Sequence, residues 1–150
     1  MKTLRNNLSN HALSSVDNNL VPNPRVLASS AQICITNLRL RTFIGFNPEE
    51  TAKQQDVVIN IKITHNTLSG IYDDIVEDAL NYKVITKRVI ACVEDGRFLL
   101  LEKLVGDVLD ICAEHEAVTS ASVKIDKPHA LRFADSVSLE MQYTSNLTQH

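Results

Sequence analysis

Val57-Val58-Ile59-Asn60-Ile61-Lys62-Ile63-Thr64 is the stretch that decides the fold. Val57, Ile59, Ile61 and Ile63 alternate with Val58, Asn60, Lys62 and Thr64, so period-two patterning predicts a strand with one strongly apolar face and one mostly polar face. That apolar face needs a cover. Downstream, after a turn-like region around Ser69, Gly70, Asp73 and Asp74, the period changes: Tyr82, Ile85, Val89, Cys92 and Val93 recur at helical spacing and Asp95-Gly96 closes the series. Leu101, Leu104, Val105, Val108 and Cys112 form a second helical series. Strand patterns return at Ala121–Lys127 and at Val137, Leu139, Met141 and Tyr143. Upstream, Ile33 to Gly45 reads as a strand. Ile33 and Ile35 have one parity and Leu38 and Leu40 the other, so a bulge near Thr36 and Asn37 is required to keep them on one face. The order β-β-α-α-β-β predicts an α+β fold: an antiparallel sheet with two helices on its apolar face. The exposed edges of such a sheet are templates for further pairing, and joining copies edge to edge into an oligomeric barrel would satisfy them.

The chain has 150 residues, 44% of them hydrophobic and 22% charged, which suits one domain with a core of its own. Residues 31–145 are expected to form it. Met1 to Ser30 is rich in Asn and Ser with Pro22 and Pro24, and reads as a disordered leader; residues 146–150 read as a flexible tail. A net charge of -3 provides no global field for nucleic acid or an anionic membrane, and no apolar run approaches a membrane-spanning length. No nucleic-acid or membrane partner is expected. Cys34, Cys92 and Cys112 are odd in number and far apart, which fits reduced thiols in the cytoplasm better than a disulfide framework.

The chemistry concentrates in Asp126 to Val137, DKPHALRFADSV. Lys127 shares strand parity with Val123 and Ile125, so a cation continues an otherwise apolar row. Such a lysine is ordinarily a strand-end charge whose stem packs while its head reaches water. The five histidines, His11, His65, His115, His129 and His150, contain no HxH or HExxH arrangement, so no metal site is expected. Four glycines without a GxxxxGK run leave a phosphate-binding loop unsupported.

Taken together, RLRTFIG from Arg39, GFNPEE from Gly45, LNY ending at Tyr82, LLEKL around Glu102 and DKPHALRFADSV resemble the dihydroneopterin aldolase family. The LRLRTFIG and DK-HALR-ADSV stretches are similar to its dihydroneopterin triphosphate 2'-epimerase branch. The resemblance covers about Ile33 to Tyr143. It implies the tunnelling fold (T-fold): four subunits closing a barrel ring, two rings stacked as an octamer, and active sites between adjacent subunits. It further implies a dihydropterin as small-molecule substrate, with no cofactor.

Roles follow position by position. Glu102 corresponds to the glutamate that anchors the pterin ring, a role that suits a carboxylate accepting two parallel N–H bonds. Lys127 corresponds to the catalytic lysine, Tyr82 to the tyrosine proton donor or relay, and Glu50 to the acidic residue of the loop after the first strand, with Glu49 beside it. For a triphosphate, His129 and Arg132 are the leading candidate ligands, and Arg39 and Arg41, on one strand face, the second. The implied activity is inversion at C2' by metal-free retro-aldol and aldol steps. The alternative is an aldolase releasing 6-hydroxymethyl-dihydropterin and glycolaldehyde. A non-catalytic pterin-binding or structural ring protein is the competitor from another class. An RNA-binding sheet would carry paired aromatics on a central strand, and Val57–Thr64 has none.

Overall fold

A bulge at Asn37 allows one long strand to keep four apolar residues on the same face. In the computed structural model, which describes residues 30–67 and 74–146, strand β1 (Ser30–Ile44) pairs antiparallel with β2 (Gln55–Asn66). Ile33 and Ile35 lie opposite Ile63 and Ile61; the register then shifts, and Leu38 and Leu40 lie opposite Ile59 and Val57. All four partners are buried. Asn37 takes the left-handed conformation at φ 55°, which Asn tolerates better than most residues. Its backbone N–H donates to Asn60 Oδ1 at 3.0 Å, and Asn60 Nδ2 donates to Asn37 Oδ1 at 3.2 Å. The expected bulge is therefore present and pinned by a pair of asparagines.

The remaining elements follow in the expected order. A one-turn helix α1 (Pro48–Ala52) links β1 to β2, and a 3-10 turn at Val76–Asp78 precedes helix α2 (Tyr82–Glu94). A two-residue strand β3 (Arg97–Phe98), helix α3 (Leu101–Ala113), β4 (Val118–Pro128) and β5 (Ser136–Thr144) complete the described chain. The sheet order is β3-β1-β2-β4-β5, antiparallel except for the short parallel pairing of β3 with β1. β3 and α1 are too short to produce a periodicity, which is why the alternation pattern does not contain them. Of the expected leader Met1–Ser30, Ser30 begins β1 and the rest lies outside the described residues, as do the turn residues Ser69, Gly70 and Asp73 and all of the expected tail 146–150 except Asn146.

Both helices cover the apolar face of the sheet. Ile85, Val89 and Val93 of α2 and Leu104, Val105, Val108 and Cys112 of α3 pack over Val57, Ile59, Ile61, Ile63, Val123 and Ile125. Among the described residues one polar residue is buried in this core: Thr42, whose hydroxyl donates to the Val93 carbonyl at 2.6 Å and so ties β1 to the end of α2. The opposite face of the sheet carries Arg39, Arg41, Asp56, Asn60, Lys62, Lys124 and Glu140.

Because Ile61 is sealed beneath the helices while its neighbour Lys62 lies on the open face, the two sites should respond differently to truncation. Ile61→Ala is expected to cost about 3 kcal/mol by leaving a cavity, and Lys62→Ala less than about 0.5 kcal/mol. Urea midpoints measured at one fixed protein concentration check this.

Candidate active site

At the end of the core, three segments far apart in sequence converge. β1 ends at Ile44, and Gly45 follows with φ 124°, its N–H donating to the Phe98 carbonyl at 2.9 Å. A side chain at this position would overlap the Glu50 carboxylate, so the turn requires glycine for its backbone angle and for space. The chain then enters α1, where Pro48 occupies a position at which a missing N–H costs nothing. Glu50, on that one turn, reaches back so that Oε1 accepts from the Asn47 N–H at 3.4 Å. Its Oε2 accepts from the Lys127 ammonium, which arrives from the far end of β4.

Lys127 and Glu50 are largely shielded, with side chains 14% and 20% exposed. The Lys127 ammonium holds the Glu50 carboxyl below its ordinary value; the Gln55 amide and the Asn47 N–H act in the same direction, and burial opposes them. Of the adjacent pair Glu49 and Glu50, the structure thus brings Glu50 to the lysine. The pair lies in a cleft of about 270 Å³ whose lining includes Phe46, Leu99, Leu100, Glu102, Ala130 and Val137. Phe46, Leu99 and Leu100 are more than half exposed, an apolar rim round a charged centre.

Glu102 shares this cleft, placed by the first turn of α3. Its neighbour Lys103 pairs with Asp107 at 2.8 Å, and Glu102 has no hydrogen-bond or ion-pair partner among the described residues. Its carboxylate is free to accept from a ligand. Tyr82 lies elsewhere. Asn81 caps α2 by accepting from the Lys83 and Val84 N–H groups at 3.1 and 3.3 Å, and this sets Tyr82 on the first turn, half exposed. There it lines an apolar cleft with Ile33, Cys34, Ile35, His65 and Leu80. Ile35 and Ile44 are separated along β1 by roughly 30 Å at strand rise, so Tyr82 cannot reach the Lys127 of its own chain.

The four candidate phosphate ligands divide. Arg39, Arg41 and His129 line one depression of about 610 Å³ with Gln54, Asp56 and Glu94. Arg39 and Arg41 have the parity opposite to Leu40 and Thr42, so they project from the sheet face away from Lys127. Arg41 is already engaged by Asp56 at 2.7 Å and by the Gln54 carbonyl at 2.9 Å. Arg132, in the β4–β5 turn, holds its guanidinium 5.5 Å from the centre of the Phe133 ring and is exposed, two residues beyond cleft-lining Ala130. Among the described residues no group of three or more His, Cys, Asp and Glu side chains is placed to hold a metal ion, and no helix is long and apolar enough to cross a membrane.

Gln55 escapes the motif reading altogether. Its Nε2 donates to the Ile44 carbonyl at 2.6 Å and to Glu50 Oε2 at 3.4 Å. The signal was nevertheless the one that marks Lys127: a polar residue continuing an apolar row, here at the parity of Val57, Ile59, Ile61 and Ile63.

The sequence model described as dihydroneopterin aldolase matches residues 33–142. Dihydroneopterin triphosphate 2'-epimerase from Escherichia coli K12 is 53% identical over 114 residues, which cover 76% of this chain and 95% of that protein. The protein of the same name from Pseudomonas aeruginosa is 47% identical over 118 residues, covering 79% and 96%. The crystal structure of Escherichia coli dihydroneopterin aldolase in complex with neopterin superposes with a TM-score of 0.70 at 26% identity, over 75% of this chain and 98% of that one.

A carboxyl with a depressed folded-state pKa contributes stability that is complete above its unfolded value of about 4.5 and is lost as pH falls through the lower folded value. Lys127→Met removes the main cause of that depression. The parent should therefore exceed Lys127→Met in urea midpoint above about pH 5, with a gap that narrows on acidification; a gap independent of pH would mean that the ion pair does not stabilise the fold.

Proposed function

The chain belongs to the dihydroneopterin aldolase family, and from that premise we propose that it is a dihydroneopterin triphosphate 2'-epimerase. The observation that carries the chemistry is that the shielded Lys127–Glu50 pair and the Glu102 carboxylate, which has no partner among the described residues, line one small cleft. Glu102 accepts hydrogen bonds from the amino-pyrimidinone edge of the pterin and fixes the ring. The 2'-hydroxyl proton passes to the Lys127–Glu50 pair, joined by one hydrogen bond along which a proton can be handed. The C1'–C2' electrons move into the ring imine, leaving an aldehyde at C2' and an electron-rich pterin. When the aldehyde turns and C1' attacks its other face, the bond reforms, the alkoxide takes the proton back and C2' is inverted. Protonation of the pterin at C1' instead releases 6-hydroxymethyl-dihydropterin and glycolaldehyde triphosphate, so aldolase activity is a side branch of the same first step. The apolar rim of Phe46, Leu99 and Leu100 favours retention by shielding the fragments from water.

Tyr82 enters as a proton relay supplied by an adjacent copy, and the assembly is a homo-oligomer, an octamer of two four-membered rings. Two features support this reading: Tyr82 is remote from the Lys127 cleft of its own chain, and β1 and β5 leave open edges that antiparallel neighbours can extend. The substrate triphosphate leaves the cleft past the β4–β5 turn, so Arg132 is its proposed ligand rather than Arg39 and Arg41, whose parity turns them to the other face of the sheet, or His129, which lines their depression. The cytoplasm is the proposed compartment, in keeping with the free thiols of Cys34, Cys92 and Cys112.

Incubation with dihydroneopterin triphosphate and chiral separation of the products should yield the C2' epimer as main product. Only unchanged substrate would refute catalysis, and 6-hydroxymethyl-dihydropterin as the main product would make the protein an aldolase. If the site is shared between copies, Lys127→Met and Tyr82→Phe proteins, each inactive alone, should regain activity when unfolded together and co-refolded; no recovery would place both residues in one chain's site or neither. Arg132→Ala should raise KM for the triphosphate about tenfold while leaving that for unphosphorylated dihydroneopterin nearly unchanged, and equal effects on both would remove Arg132 from the phosphate site.

A further inference from the structure

We infer that Gln55 is a positioning residue of the reaction: its side-chain amide clamps Glu50 against Lys127 and leaves one Glu50 oxygen open to the substrate hydroxyl. The inference rests on the proposed role of the Lys127–Glu50 pair. Gln55 stands at the last register pair between β1 and β2, opposite Thr42, and Ile44 lies beyond the end of that ladder. The two amide hydrogens of Gln55 divide between the Ile44 carbonyl at 2.6 Å and Glu50 Oε2 at 3.4 Å. The first bond anchors the amide to the residue just before Gly45, so the donor is held by the sheet core rather than by the loop it controls. The second acts on a side chain carried by a helix of one turn, which has little rigidity of its own.

The assignment of the two oxygens follows. Oε2 accepts from both Lys127 and Gln55, whereas Oε1 accepts from the Asn47 N–H alone, at the same 3.4 Å as the Gln55 bond, and keeps a lone pair for a further donor. With Oε2 committed, Oε1 is the oxygen left for the 2'-hydroxyl. Without the amide, the carboxylate can rotate about its terminal torsion, which is broad and weakly restrained, and exchange the two oxygens. Substrate binding through Glu102 is untouched by that rotation, so the defect belongs to turnover rather than to affinity.

Gln55→Met keeps the length and removes the donor. The expected result is a kcat lower by about 10- to 100-fold with KM little changed, and an acid limb of the kcat profile displaced to higher pH, because an amide that favours the Glu50 anion has gone. Gln55→Asn, an amide one methylene shorter, serves as the second variant should the first not fold, and its kcat should lie between parent and Met protein. Carbon-13 titration of the Glu50 carboxyl without substrate reads the clamp independently of turnover: the midpoint should move up in either variant. A soluble variant with parental kcat, or with an unmoved acid limb and an unmoved carboxyl titration, overturns the inference. Absence of epimerisation in the parent, with the titration shifted as expected, would refute the proposed function and leave the clamp standing.

Discussion

One ion pair gathers the consequences of the whole fold. Lys127 and Glu50 are separated by 77 positions in the chain, and nothing local brings them together. The lysine is delivered by the end of a strand whose preceding alternate residues, Val123 and Ile125, are sealed in the core. The carboxylate is delivered by a single helical turn that follows a glycine with positive φ. Both depend on the end of β1, which Thr42 fastens to α2 and which Gly45 and Ile44 fasten to Phe98. A charge pair shielded to this degree has exchanged hydration for its partner, and it repays that cost only while the geometry is held. The hydrophobic core is thus the source of the precision at the cleft, and the cleft is where the apolar row of the sheet gives way to ions.

The same sheet limits what a single chain can do. Its length separates Tyr82 from Lys127, and among the described residues β1, beyond its two-residue pairing with β3, and β5 each have one edge without a strand neighbour. An unpaired edge is a liability for a solitary subunit and an asset for a ring, since pairing with a neighbour satisfies the backbone and brings foreign side chains alongside. The apolar residues round the cleft mouth, Phe46, Leu99 and Leu100, are poorly served by water and well served by a pterin or a neighbouring copy.

Much of this architecture is legible in the sequence because it rests on repeating patterns. The alternation from Val57 to Ile63 and the helical spacing from Ile85 to Val93 both reappear as buried stripes, and the phase change between Ile35 and Leu38 reappears as the bulge at Asn37. Motif resemblance adds Lys127, Glu50 and Glu102, which meet in one cleft. Other features depend on contacts that no period announces. β3 is two residues long, α1 is one turn, and the placing of Arg39 and Arg41 away from Lys127 depends on which sheet face β1 turns them to after its bulge, while His129 and Arg132 take their positions from the β4–β5 turn. Gln55 lay between these cases: its parity marked it, but its partners became visible only once β1 and α1 were folded beside it.

Epimerisation and cleavage share the opening of the C1'–C2' bond, so a lysine acting at that step must govern both to the same extent. The most direct measurement is single-turnover formation of epimer and of 6-hydroxymethyl-dihydropterin by Lys127→Met, compared with the parent under saturating substrate. Both rates are predicted to fall together by about 10²- to 10⁴-fold; inversion of C2' at the parental rate in the absence of that ammonium would contradict the account.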